Sequence, residues 1–158
     1  MPAVIFIDLG NGIKGESAQK GFEDQIAAQS LQWGVGRGIG GFTSGIRETS
    51  RPSFSEVVFT KTLDISSNDI LIAMSKGKAL PTVTISFVRD DGEEGFNYLK
   101  YELSDVLISS YSVSSGGETP SESVSLNFAK IKAVYKKLGS DHSDSGENEY
   151  EYDLLAQA

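Results

Sequence analysis

Three groups of residues in this chain have types and spacing that could do chemistry. The first is Gly36-Arg37-Gly38-Ile39-Gly40-Gly41, which matches G-x-G-x-x-G. That pattern cradles a pyrophosphate only when a helix follows at once, because the helix N-terminal N–H groups meet the phosphates. Here Phe42-Thr43-Ser44-Gly45 follows and Pro52 closes the stretch. No strand–helix–strand unit is available, so the segment reads as a glycine-rich loop. The second group is the paired carboxylates Asp90-Asp91, Glu93-Glu94 and Glu149 with Glu151. An acid/base pair needs a cleft that raises one carboxyl pKa. Two pairs fall in a hairpin tip and the third on one face of a predicted strand, so they read as solvated faces. The third is His142, the one histidine, flanked by Asp141 and Asp144. A lone loop histidine serves neither a triad nor a histidine-rich metal site. The acidic run from Asp141 to Glu149 lacks the loop spacing of a calcium-binding EF-hand. There is no cysteine, hence no disulfide and no thiolate zinc site. The expectation is no catalytic residue, no cofactor and no metal.

What remains is a scaffold. The 158 residues suit one domain, 1–158, able to bury a core without staples. The net charge of −8 opposes binding to nucleic acid or to anionic membranes. No segment reaches the roughly 20 apolar residues of a membrane helix. The start, Met1-Pro2-Ala3-Val4-Ile5-Phe6-Ile7-Asp8, lacks the basic n-region of a cleavable signal.

The dominant period is two, which predicts strands. Ala3 to Leu9 carries apolar residues at both parities, as a strand buried on both faces does. Leu31, Trp33 and Val35 alternate with Ser30, Gln32 and Gly34, a half-buried strand with Trp33 in the core. Val83, Ile85 and Phe87 form another strand, and Leu99, Tyr101 and Leu103 a third, joined by the Asp90-to-Gly95 hairpin loop. Val124, Leu126 and Phe128 share one parity; Ile131, Ala133 and Tyr135 share the other. That switch predicts a bulge or bend near Ala129, the device that curves a sheet toward closure. Tyr150, Tyr152 and Leu154 mark a last strand, and Gly139 to Asn148 before it reads as a polar loop. One helix is expected, capped by Ser66 or Ser67, with Asp69 in its first turn. Its stripe is Ile70, Leu71 and Met74, Gly77 ends it, and Pro81 forbids its resumption. In all, one helix sits among about eight strands. Gly36 to Pro52, with five glycines in 17 residues, is longer than an ordinary connection, and such loops are usually functional or ordered by a partner.

Six short segments, in order, resemble one family. They are Lys14-Gly15-Glu16-Ser17; Leu31-Gln32-Trp33-Gly34; Val58-Phe59-Thr60-Lys61 with Asp64; Ser75-Lys76-Gly77-Lys78; Ser109-Ser110-Tyr111-Ser112 with Gly116-Gly117; and Leu126-Asn127-Phe128-Ala129-Lys130-Ile131. Together they resemble the Hcp (haemolysin-coregulated) proteins, tube subunits of bacterial type VI secretion systems. Leu31 and Gln32 differ from the residues typical of that family's strand.

The resemblance implies a mainly β fold: an antiparallel β-barrel with one short flanking α-helix and a long extended loop. It implies a homohexameric ring that stacks into a tube, with the type VI spike protein, contractile sheath and effector proteins as partners. It implies a protein that is cytoplasmic before firing, then secreted without a cleavable signal. The Gly36-to-Pro52 loop is then the inter-ring loop, with Arg37, Phe42, Ile46 and Arg47 as its contact side chains. Ser30 and Gln32, on the polar side of their strand, are expected at the ring lumen, where cargo would sit. A tail-tube subunit of a phage-like contractile particle shares this fold, and a secreted β-barrel binding protein or hydrolase is the reading from another class.

Overall fold

The computed structural model describes residues 3–39, 50–90, 95–138 and 144–158. Its strands are β1 (Ala3–Asp8), β2 (Ile26–Ala28), β3 (Ser30–Gln32), β4 (Val35–Gly36), β5 (Ser53–Phe54), β6 (Val57–Thr62), β7 (Leu80–Asp90), β8 (Gly95–Ser114), β9 (Ser121–Asn127), β10 (Lys130–Leu138) and β11 (Asp144–Asp153). Among the described residues there is one helix, α1 (Ser67–Lys76), between β6 and β7. Every strand pairing is antiparallel, in the order β2-β1-β7-β8-β9-β6-β3, with β10 and β11 continuing from β8. The two ends of that path, β2 and β3, are one chain segment interrupted only at Gln29. The Gln29 N–H donates to the Thr60 carbonyl at 2.7 Å, so the segment passes from β1 to β6 without a gap. The sheet thus closes on itself as a barrel, which removes most of its edges.

The bend expected near Ala129 is present. Strand β9 ends at Asn127, β10 starts at Lys130, and the Ala129 N–H donates to the Ser104 carbonyl at 3.0 Å. The neighbouring β8 turns at the same level: Asp105 adopts φ 53°, a left-handed conformation inside a 20-residue strand. Up to Val106 β8 pairs with β7, and from Leu107 onward with β9. Val124, Leu126 and Ile131 are fully buried on the two sides of the bend, as their parities require. Phe6 and Ile7, consecutive and on opposite faces of β1, are both buried; Ile7 enters the main core and Phe6 stacks on Phe22 with centroids 4.7 Å apart.

Helix α1 buries Ile70 and Ala73 against the barrel. Gly77 takes φ 62°, and the Lys78 N–H returns to the Ala73 carbonyl at 3.0 Å, a left-handed stop that glycine allows without strain. The N-terminus departs from expectation, because neither serine caps it with its side chain. The Asp64 carboxylate instead accepts from the Ser66 N–H at 2.9 Å and from the Ser66 hydroxyl, while Ser67 Oγ turns into the interior. Both hydroxyls have charged partners, which bind them more strongly than a backbone amide does.

Two strand expectations need correction. The Leu31-to-Val35 strand is split at Trp33-Gly34 into β3 and β4, since Gly34 there pairs with Ser55. The described half of the expected polar loop before Tyr150 is strand: from Asp144 onward the chain pairs with β10, and Glu147, Glu149 and Glu151 face Lys136, Val134 and Lys132, while 139–143 lie outside the described residues. Alternating acids make a strand here because lysines lie across from or diagonal to them. Lys130 Nζ sits 2.7 Å from Glu151, and Lys132 3.8 Å from Glu149. The hydrogen bond from Lys130, then its charge, holds the Glu151 carboxyl below the usual carboxylate range.

Candidate assembly surfaces

The Lys14-Gly15-Glu16-Ser17 segment is a brace for β2. The Gly15 N–H donates to the Asp24 carbonyl at 2.7 Å and the Ser17 N–H to the Gln25 carbonyl at 3.1 Å. The two backbones lie so close that a Cβ on Gly15 would come within 2.5 Å of the Gln25 carbonyl oxygen and 2.7 Å of Ile26 Cα. Glu16 reaches the loop ahead of α1, accepting from the Ile65 N–H at 3.2 Å.

Beneath that loop lies a buried polar network that the sequence reading missed. Lys61, fully buried on β6, donates to Asp64 at 2.9 Å, to Ser67 Oγ at 3.1 Å and to Glu122 on β9. Glu122 also accepts from Ser67 Oγ at 2.8 Å and from the Tyr111 hydroxyl of β8. Lys61 and Glu122 stand directly opposite each other in the β6–β9 ladder. A signal for this was available. Lys61 shares the inward parity of Val57 and Phe59, and Glu122 that of Val124 and Leu126. A charge at an inward position demands a buried partner.

Ser30 and Gln32 are both exposed, as expected, and lie on one face of the barrel. Across the ladders Ser30 stands opposite Thr60, Thr60 opposite Ser123, and Ser123 opposite Ser112. The Ser30 and Thr60 hydroxyls are 2.6 Å apart. The next row is Gln32, Val58, Ser125 and Ser110, and a third holds Thr62, Ser121 and Ser114. No charged side chain occupies these rows, although 23% of the chain is charged. The wall formed by β3, β6, β9 and the distal half of β8 is therefore wettable and electrically quiet. It also has two open edges among the described residues. One is the side of β3 away from β6, and the other the side of β8 away from β9 beyond Val106, where β7 has ended.

The glycine-rich loop has an ordered base. Strands β4 and β5 pair Val35 with Phe54 and Gly36 with Ser53. On either side of that ladder the same arrangement recurs. The Gly34 and Gly38 N–H groups each donate at 2.8 Å to a serine hydroxyl, of Ser55 and Ser50, whose own N–H returns at 2.9 Å to the glycine carbonyl. Arg37 is exposed on this arm; Phe42, Ile46 and Arg47, like His142, lie outside the described residues. Trp33 anchors the arm's root. It is half-buried, stacked on Phe54 at 6.4 Å and edge-on to Tyr101 at 5.6 Å. Among the described residues no group of three or more His, Asp or Glu side chains is placed to hold a metal, and no helix is long and apolar enough to cross a membrane.

Residues 6–135 match the family described as "Type VI secretion system effector, Hcp". The chain is 31% identical over 148 residues to protein hcp1 of Pseudomonas aeruginosa, covering 92% of this chain and 91% of that protein. Among solved structures, one described as a type six secretion system protein superposes with a TM-score of 0.89 at 22% identity, covering 99% of both chains. Hcp1 from Salmonella typhimurium gives 0.81 at 24%, covering 99% of this chain and 97% of that one. The mainly antiparallel barrel with one helix is the fold of these proteins, and the chain belongs to the Hcp family, as a structural subunit of the type VI secretion tube.

Proposed function

We propose that the chain closes head to tail into hexameric rings that stack through the Gly36-to-Pro52 arm, with the wall around Ser30 and Gln32 lining the lumen. The observation that carries this reading is the pair of open edges on one four-stranded wall. An unpaired edge is a template for another strand, and two different edges on one subunit form a heterologous contact, which generates rings when its rotation closes. A wall of hydroxyls over a largely apolar core suits a water-filled lumen and not a second buried interface. The arm carries Arg37, Phe42, Ile46 and Arg47 as the side chains for the adjoining ring. Effector proteins in the lumen, the spike at the tube end and the contractile sheath around it are the partners. The role is mechanical, without catalysis, in the cytoplasm before firing and outside the cell afterwards.

Light scattering on the purified protein should give a particle about six times the 17.0 kDa monomer. A monomer at every concentration would sink the ring. Deleting Thr43 to Glu48 should leave rings intact and abolish secretion; unchanged secretion would remove the arm from the stacking contact.

A further inference from the structure

We propose that Tyr111, Glu122 and Ser67 form a positioning set that holds the unpaired half of β8 ready for the neighbouring subunit; the neighbour itself rests on the ring reading above. Among the described residues, this half of β8 beyond Val106 has a partner on one side only. Past Ile108, which is buried, its own side chains do little to fix it, since Val113 is 55% exposed and Ser110, Ser112 and Ser114 point outward. Strands with few buried contacts and one open edge are where local opening is easiest. Ile108 anchors the start of this half in the core, and beyond it Tyr111 is the large side chain that turns inward and packs against the core. A phenylalanine would fill that space equally well. The hydroxyl adds a charge-assisted hydrogen bond to Glu122, and such bonds are roughly twice as strong as neutral ones.

Glu122 in turn is fixed from two other elements. Ser67 Oγ, at the first residue of α1, donates to it at 2.8 Å, and Lys61 of β6 reaches it from across the ladder. The open strand is thus tied through one carboxylate to the helix on the barrel's outer side and to the next strand but one. Fully satisfied buried networks of this kind rigidify what they connect. The role of these residues is positioning: none needs to touch the neighbouring subunit.

Two variants test this, Tyr111→Phe and Ser67→Ala. Both should fold, with amide hydrogen exchange at residues 109–114 at least tenfold faster and the concentration at which rings dissociate raised at least tenfold. A merely structural role would instead lower the melting temperature and speed exchange across the whole barrel. Exchange at 109–114 and ring dissociation both within twofold of wild type in Tyr111→Phe would overturn the proposal. So would Ser67→Ala loosening α1 alone, because the hydrogen-bond path from Ser67 to β8 runs through Glu122. If wild-type protein forms no ring at all, the ring reading falls, and the exchange comparison still decides whether the set holds β8.

Discussion

Lys61→Met is expected to lower the folding free energy by about 3–5 kcal/mol, the usual cost of removing one partner from a buried ion pair. Methionine matches the length of the lysine stem, so the cavity is small and the loss is chiefly electrostatic. Glu122 would be left buried with hydroxyl donors only, and Asp64, 12% exposed, would lose its cation beside it. For a domain of this size the change corresponds to a fall in melting temperature of roughly 6–20 °C. Urea titrations at one fixed protein concentration would measure it, because assembly shifts apparent stability. The double variant Lys61→Met with Glu122→Leu should be less damaged than Lys61→Met alone. It removes the orphaned charge, and apolar residues often replace a buried pair at no net cost. A double variant as unstable as the sum of the two single ones would show that the network acts by packing and not by charge.

Gly15→Ala is the second large effect, at about 3 kcal/mol, the upper part of the range for overpacking a filled site. The methyl would be driven into backbone: the Gln25 carbonyl carbon and Ile26 Cα each lie 2.7 Å away. Neither can retreat cheaply. Ile26 is in the core and pairs with Ile7, so moving it pulls β2 off β1. Gly12→Ala is the control. Gly12 has φ +81° with nothing within 4 Å, so the substitution carries only the conformational cost of a left-handed residue, about 1–2 kcal/mol. Equal losses at the two positions would contradict the steric explanation for Gly15.

The sequence made some of this legible and hid the rest for physical reasons. Alternation located the core strands, because inward residues such as Val124, Leu126 and Ile131 must be apolar. The parity switch located the Ala129 bend for the same reason. The helix and its glycine stop were readable because their signals are local. Barrel closure was not, since the Ile26-to-Gln32 segment is short, poor in β-branched residues and exposed along most of its length. Strand β8 was read for only part of its length, because serines take over its outward and edge positions after Ile108. The hydroxyl wall showed only as Ser30 and Gln32. Its continuation through Thr60, Ser123 and Ser112 depends on register between strands far apart in sequence. Lys61 and Glu122, 61 residues apart, met for the same reason.

The segment that closes the barrel also bears on how the molecule comes to be folded. From β7 to β11 each strand pairs with one adjacent in the chain, so these hairpins can zip with little loop closure. The Ile26-to-Gln32 segment must instead find β1 about 20 residues before it and β6 about 30 after, contacts whose loop entropy is lost before they bring any gain. It is therefore expected to dock late. Ile26→Val should speed unfolding and leave the folding rate almost unchanged. Until docking, β1 and β6 both present bare edges, so a nascent chain can join another copy of itself before it has closed on its own.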